Sequence, residues 1–273
     1  MSVDAATGGV GLVCVDVDGT LVGTGGAVHP RVWEVAARVR AAGIRLAVCS
    51  GRPAFGLARG YAERLEPDAW HVFQNGASVV HLPGGESRSV PLAPEGVAWL
   101  VSRARETGRP LELYTDTEYA VESTAPRAGQ HAALLGVPFR PRALDSLAGP
   151  VVRAQWLLSH AEAETVLGEA AHPTLNLARS TSPVMPDTSF VNITPAGVDK
   201  ASSVRVVAAA YGVPLERVMM VGDAPNDLGV LEIVGVPVAM GNAEEEVKAV
   251  ARHHVGHVDD GGLAEALELA LRL

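Results

Sequence analysis

The sequence predicts an α/β fold, a doubly wound parallel sheet with an α+β unit inserted into it. Three observations carry that prediction. Short runs such as LVCV at 12–15, LAV at 46–48 and VMMV at 218–221 are apolar throughout, the pattern of strands buried on both faces. Segments of helical periodicity separate these runs. Between about 80 and 190 the pattern switches to alternating strands around tight polar turns.

The first eleven residues, MSVDAATGGVG, have neither the basic patch nor the apolar run of a secretory signal and read as a short leader. A strand follows to Val17, then a helix over 30–42 whose Val32, Val35, Ala36 and Val39 fall on one face. IRLAVCSGR supplies a second strand, 53–65 a second helix and HVFQNGA a third strand. SVVHLPGGESRSVPL has the Gly-Gly turn of a hairpin, and LELYTDTEYAVES alternates about a polar turn. Helical stretches at 94–107, 127–135 and 161–171 separate such strands. The last third returns to the first theme: VMMVGD, a helix over 226–234, VPVAMGN, a helix over 243–251 and an amphipathic helix from 262. Residues 1–80 and 190–273 are therefore expected to form one core, and 81–189 the inserted unit.

A chain of 273 residues with 48% hydrophobic content buries a sizeable core. No apolar run approaches the roughly 18 residues that span a bilayer, so no membrane partner is expected and the protein is placed in the cytoplasm. The formal net charge is −9 without any basic block, which argues against nucleic acid as a partner. The oligomeric state is left open. Cys14 and Cys49, the two cysteines, lie in predicted strands and read as buried free thiols. Of 22 basic residues only Lys200 and Lys248 are lysines, which singles them out.

Ligands of a doubly wound sheet bind beyond the carboxyl ends of its strands. Those ends carry the chemistry here. Asp16, Asp18, Gly19 and Thr20 follow the first strand; Ser50, Gly51 and Arg52 follow the second; Gly222, Asp223, Asn226 and Asp227 follow VMMV. Lys200 opens a helix behind the turn TPAGVD. Asp16 and Asp18, two residues apart, share one side of an extended chain and repel each other unless a cation or a proton intervenes. Together these residues supply carboxylates for a hard divalent cation and hydroxyl, amide and ammonium donors for a phosphate.

The four ordered motifs DVDGTL, SGR, GVDK and GDAPND resemble those of the haloacid dehalogenase superfamily, in its Mg-dependent phosphatase branch. The insert between the Ser and Lys motifs, with QNGA and NITPAGVDKASSV, is similar to the Cof-like phosphatases that carry a large α+β cap. The resemblance implies a phosphoric monoester hydrolase in which Asp16 attacks phosphorus to give an aspartyl-phosphate, with Asp18 as general acid and base. It implies Mg²⁺ held by the Asp16 carboxylate, the Asp18 backbone carbonyl and Asp223, with Asp227 orienting them from behind. Ser50, the amides of Val17 and Gly51, Asn226 and Lys200 would hold the phosphoryl oxygens of a small phosphate monoester. A phosphomutase of the same superfamily and a non-catalytic relative that binds a phospho-ligand are the alternatives. The dehalogenases themselves fit less well, because Asp18 and Asp223 make a metal site that those enzymes do not use.

His253, His254 and His257 have no clear further ligand beside them and read as surface residues. Arg52 reads either as a substrate contact or as a cap for the next helix. Trp70, Trp99 and Trp156 lie in apolar stretches and read as packing, whereas Tyr114, Glu118 and Tyr119 are candidates to face a substrate. The insert carries Glu112, Asp116, Glu118, Glu122, Arg127 and Arg142 and few aromatics, a set suited to hydroxyls more than to a flat ring. That favours a sugar or polyol phosphate over a phosphorylated aromatic cofactor.

Overall fold

A computed structural model describes residues 8–169, 172–182 and 184–273; most of the expected leader (1–7) and the end of the expected helix 161–171 (170–171) lie outside the described residues. The first segment gives β1 (Leu12–Val15), α1 (Pro30–Ala41), β2 (Arg45–Val48), α2 (Leu57–Leu65), β3 (Trp70–Phe73), β4 (Ser78–His81) and β5 (Glu86–Ser87). The middle gives α3 (Pro94–Thr107), β6 (Leu111–Tyr114), β7 (Tyr119–Val121), α4 (Pro126–Leu135), β8 (Arg153–Leu158), α5 (His160–Gly168), β9 (Leu175–Thr181) and β10 (Ser189–Pro195). The last gives α6 (Lys200–Ala210), β11 (Val218–Gly222), α7 (Leu228–Leu231), β12 (Val236–Ala239), α8 (Glu245–Val250), β13 (His253–His254) and α9 (Gly262–Ala270).

The first sheet is parallel throughout, in the order β13-β12-β11-β1-β2. Its strands are buried along nearly their whole length, which explains why they read as unbroken apolar runs. β3 continues the sheet beyond β2 through a parallel bridge between Cys49 and Val72, and then leads into the antiparallel β3-β4-β5. At that seam the imidazole of His71 stands in for a ladder partner: the Val48 amide donates to Nδ1 at 3.0 Å while Nε2 bonds the Glu66 carbonyl at 2.9 Å. That arrangement fixes a neutral ring.

The second sheet is antiparallel, in the order β7-β6-β8-β10-β9. One face packs Leu111, Leu113, Ala154, Trp156, Val191 and Ile193 into an apolar cluster with Leu100 of α3 and Val166 of α5. This cluster is separate from the core of the first sheet, which draws on residues 10–82 and 204–270. Two strands lie across the expected division: β10, which begins at Ser189, pairs with β8 and β9, and the hairpin at 78–87 pairs onto β3.

Two expected helices are shorter than their periodicity suggests. The stretch 53–65 becomes helical only at Leu57, because Gly56 turns the chain at φ +64° and comes so close to α4 that a Cβ there would lie 2.4 Å from the Leu135 carbonyl oxygen. The stretch 226–234 is a 3₁₀ turn over Pro225–Asp227 followed by the single-turn α7. Asp227 folds its carboxylate back onto the amides of Asp223 and Ala224, at 3.1 and 3.3 Å, and so holds a turn where a helix would otherwise continue. Among the described residues no helix is long and apolar enough to cross a membrane.

Candidate active site

The carboxyl ends of β1, β2 and β11 and the start of α6 converge. Asp16 leaves β1 with its amide on the Val221 carbonyl and its side chain nearly fully buried. Lys200, the first residue of α6, is set by the Asp199 capping box with Ser202 and drives its ammonium between two acids. Its Nζ lies 2.6 Å from Asp16 Oδ1 and 2.7 Å from Asp227 Oδ1. Asp16, Asp223 and Asp227 each offer a carboxylate oxygen within 4.8 Å of the others.

Asp227 is fully buried and divides its oxygens between the lysine and the turn behind Asp223, so it positions both. Asp223 accepts from the Thr20 hydroxyl at 3.0 Å. Gly19 has φ +84° and lies against Asp223, where a Cβ would sit 2.1 Å from Oδ2, so glycine is required there twice over.

The electrostatics follow from burial. Asp16 is held well above the usual carboxylate range by desolvation, opposed by Lys200 and reinforced by the neighbouring acids. Asp223 is pushed up to about 7 by burial and by Asp227. Burial works against the Lys200 ammonium, but Asp16 and Asp227 outweigh it and raise its pKa. Three carboxylates around one ammonium leave negative charge that only a proton or another cation relieves.

Ser50 is fully buried at the end of β2, and its hydroxyl accepts from the Arg52 amide at 3.1 Å. The Gly51 carbonyl accepts from Arg153 of β8 at 3.0 Å, a bond from the second sheet into the first. Val17 is buried beside Asp16 and anchors the loop by accepting from the amides of Leu21 and Val22.

Asp18 and Asn226 stand apart from the buried group. The Asp18 side chain is 61% exposed and clasped by Arg52 at 2.6 and 2.9 Å. Arg52 does not cap the next helix, α2; its remaining side-chain contact is to the Leu134 carbonyl in the last turn of α4, 3.3 Å away. Asn226 reaches the site through Asn75, donating to Oδ1 at 3.2 Å. Asn75 and Gln74 both take φ near +55°, a conformation held by the bond from the Asn75 amide to the Ser50 carbonyl.

Four residues at or near this site escape the sequence reading. Asn242, beyond β12, donates to the Gly19 carbonyl at 2.7 Å and lies 3.5 Å from Asp223 Oδ2; the Gly-Asn pair at a fourth strand end was the available signal. Gln74 and Arg153 join the two sheets and Asn75 links the ends of strands within the first, and long-range pairing of that kind leaves no trace in local pattern.

Of the six polar insert residues expected to face a substrate, five are held elsewhere. Asp116 binds three serine hydroxyls, Glu118 pairs with Arg142, Glu122 with Arg105, and Arg127 lies 3.6 Å from Glu162. Only Glu112 is buried on the inner face. Tyr114 lies beside it, in a triangle of rings with Phe55 at 6.4 Å and Tyr119 at 5.8 Å. His253 and His254 form the edge strand β13, while His257 accepts from the Asp259 amide, so the three make no metal cluster.

A doubly wound sheet with acids and a lysine gathered at its strand ends is the architecture of a phosphoryl- or acyl-group hydrolase. The particular family is settled by comparison: residues 13–267 match the haloacid dehalogenase-like hydrolases, and the chain belongs to that family. A haloacid dehalogenase-like hydrolase from Bacteroides thetaiotaomicron superposes with a TM-score of 0.85 at 29% identity, over 95% of this chain and 99% of that one. The Bacillus subtilis protein YxeH, named as a candidate phosphatase, is 26% identical over 95% of this chain and 98% of its own. A Haemophilus influenzae protein, likewise named as a candidate phosphatase, is 28% identical over 93% of this chain and 95% of its own.

Proposed function

We propose that this chain is a Mg²⁺-dependent phosphatase that hydrolyses a small phosphate monoester, a sugar or polyol phosphate, through an aspartyl-phosphate at Asp16. The observation that carries the reading is the Asp16–Lys200–Asp227 cluster with Asp223 beside it, at the ends of β1 and β11 and the start of α6 in a hydrolase-family fold. The phosphatase names of its relatives point the same way.

The residues fit a hard divalent cation. Every donor of the acidic group is a carboxylate oxygen, and the upward displacement of Asp16 and Asp223, caused first by burial and then by the neighbouring acids, is one that such an ion would relieve. Asp16, the Asp18 carbonyl and Asp223 would hold Mg²⁺, with Asp227 keeping Asp223 in place. When bound, the ion screens the carboxylates from an incoming phosphate anion.

The chain's own groups do the rest. Asp16 supplies the attacking oxygen, its orientation fixed by Lys200. Ser50, the amides of Val17 and Gly51, Asn226 and the Lys200 ammonium receive the phosphoryl oxygens, and charge stabilisation there lowers the barrier. Asp18, at the open side of the site, gives a proton to the leaving oxygen and later takes one from water. Arg52 engages both oxygens of this carboxylate, so it has to let go before Asp18 reaches a leaving group.

The test is hydrolysis of p-nitrophenyl phosphate by the purified chain with Mg²⁺ or with chelator, together with capture of phosphoenzyme on acid quenching. Mg-dependent release of inorganic phosphate and label on Asp16 are expected. Equal rates with chelator would remove the metal, and a phosphoryl group returned to a sugar phosphate as a bisphosphate would make the chain a mutase.

A further inference from the structure

The chain passes between its two units through two short crossings. On the way into the insert, the Val90 amide still donates to the Ala77 carbonyl of the core, whereas the Leu92 amide donates to the Val151 carbonyl of the insert, so Pro91 alone lies between them. On the way back, the Ala196 amide donates to the Thr174 carbonyl of the insert and the Asp199 amide to the Ser202 hydroxyl of α6, with Gly197 between them at φ +77°. Two such crossings define a line about which the units rock unless side chains tie them together.

The β6–β7 turn of the insert makes a dense tie of this kind. Asp116 extends from the turn onto the β4–β5 hairpin and the residues just after it. Its Oδ1 accepts from the hydroxyls of Ser78 and Ser89, the latter at 2.8 Å, and its Oδ2 accepts from that of Ser87 at 2.7 Å. The hairpin arranges these hydroxyls for an anion. Ser89 Oγ accepts from the Val79 amide at 3.0 Å and Ser87 Oγ from the Ser89 amide at 3.1 Å, which leaves the proton of each hydroxyl for the carboxylate. Beside Asp116, the Thr115 carbonyl accepts from Gln74 Nε2 at 2.9 Å. Gln74 adjoins Asn75, whose amide donates to the Ser50 carbonyl, so the seat of the turn is continuous with the end of β2.

We infer that Asp116 is a latch: it seats the insert on the core, and its bonds to three serine hydroxyls have to open before the insert lifts. Bonds to an ionised acceptor are stronger than neutral ones, which makes the tie effective. Asp116 is half-buried and Ser87 exposed, so water replaces each hydroxyl as the turn lifts, which makes the tie reversible. Every bond of the latch lies within the chain. The resting molecule is therefore seated, and a ligand enters or leaves the strand ends through the lifted one.

Double electron–electron resonance on the full chain tests this, with spin labels at Glu34→Cys of α1 and Gln130→Cys of α4. Both positions are exposed and both native thiols are buried. The unmodified latch is expected to give mainly one distance, and Asp116→Asn to raise the ratio of lifted to seated molecules about tenfold. The double change Ser87→Ala with Ser89→Ala, made on the core side, should raise it similarly. Adding Asp116→Asn to that pair should raise it little further, because both changes remove the same bonds. With p-nitrophenyl phosphate, Asp116→Asn should alter KM more than kcat, since the latch does not touch the Asp16–Lys200–Asp227 group. A ratio within about twofold of the unmodified chain in both variants, or fully additive effects, would overturn the latch. So would a loss of kcat with unchanged distances. The distances require no turnover, so they decide the latch separately from the phosphatase reading.

Discussion

Two fully buried cations stand at the junction of the two sheets, and their surroundings differ. Lys200 has carboxylate oxygens at 2.6 and 2.7 Å on either side. Among the described residues Arg153 has neutral oxygens and an aromatic ring against it, and its Nε has no partner. Desolvation alone lowers the pKa of both; Asp16 and Asp227 reverse it at Lys200, while at Arg153 burial prevails. The first site is bonded on both sides of its ammonium yet keeps an excess of carboxylates over cations. The second is bonded just well enough to persist and keeps donors and acceptors spare. One buried cation is locked by charge, and the other is held by neutral partners alone.

The largest effect expected from breaking this contrast is Asp16→Asn. It removes the attacking carboxylate and should lower kcat for every phosphate ester by about 10⁴-fold or more, read as phosphate release over hours. Lys200→Met should cost about 10² to 10³-fold in kcat, equally for sugar and aryl esters, because the lysine bonds Asp16 and Asp227 and its proposed ligand, the phosphoryl group, is common to every ester. A selective loss on one class of ester in Lys200→Met would erase the contrast between the two cations.

A third buried base sharpens the comparison, since it remains uncharged. His71 has no acid against it, and burial lowers its pKa to about 4. The folded-state value lies below the unfolded value of about 6.5, so the folded chain binds fewer protons between the two. The stability linked to His71 is therefore complete above about pH 6.5 and is lost as the pH falls towards 4, by about 3 kcal/mol. Asp16 and Asp223, whose values are raised, act in the opposite sense over that window, so the measurement has to be a difference. Urea unfolding of the unmodified chain and of His71→Gln at pH 7 and pH 4.5 should show the variant losing less stability on acidification. Parallel losses would mean that the ring is charged in the folded state.

The same physics explains what was legible in the sequence. Strands buried on both faces have to be apolar along their length, so β1, β2, β11 and β12 stood out, and the residues just after them had to be the site. Asp16, Ser50, Asp223 and Asp227 became candidates that way, whereas Lys200 was singled out by its place at the start of a helix and by the rarity of lysine in the chain. The inner face of the second sheet was hidden because a polar residue at alternate positions is the ordinary mark of a solvated face. LELY and RAQWLL look half-exposed, yet Glu112 and Arg153 are buried. The charged residues that looked most available, Glu118, Glu122 and Arg142, were the ones already paired within the insert. Sequence shows which face is polar, whereas tertiary pairing decides which polar face meets water.

The smallest expected effect falls on a residue that belongs to neither cation. Asn242 donates to the Gly19 carbonyl at 2.7 Å and accepts from the Val258 amide at 3.0 Å, so one amide ties the loop after β1 to the segment before α9. Because Gly19 lies in van der Waals contact with Asp223, the tie also sets the distance between the first and third acidic strand ends. Asn242→Ala removes one neutral hydrogen bond on each side. It should destabilise the fold by about 1 to 2 kcal/mol, the range for a part-buried neutral bond and its stranded partner. The Asp16–Lys200 pair does not depend on Asn242, so kcat at saturating Mg²⁺ should fall by only about threefold to tenfold. Half-saturation should require more Mg²⁺, since Asp223 then occupies its place less of the time. A titration of activity against Mg²⁺ separates the two outcomes: a raised half-saturation with most of kcat retained supports a role in holding the Asp223 loop, and an unchanged half-saturation with a large loss of kcat would put Asn242 in the phosphoryl chemistry itself.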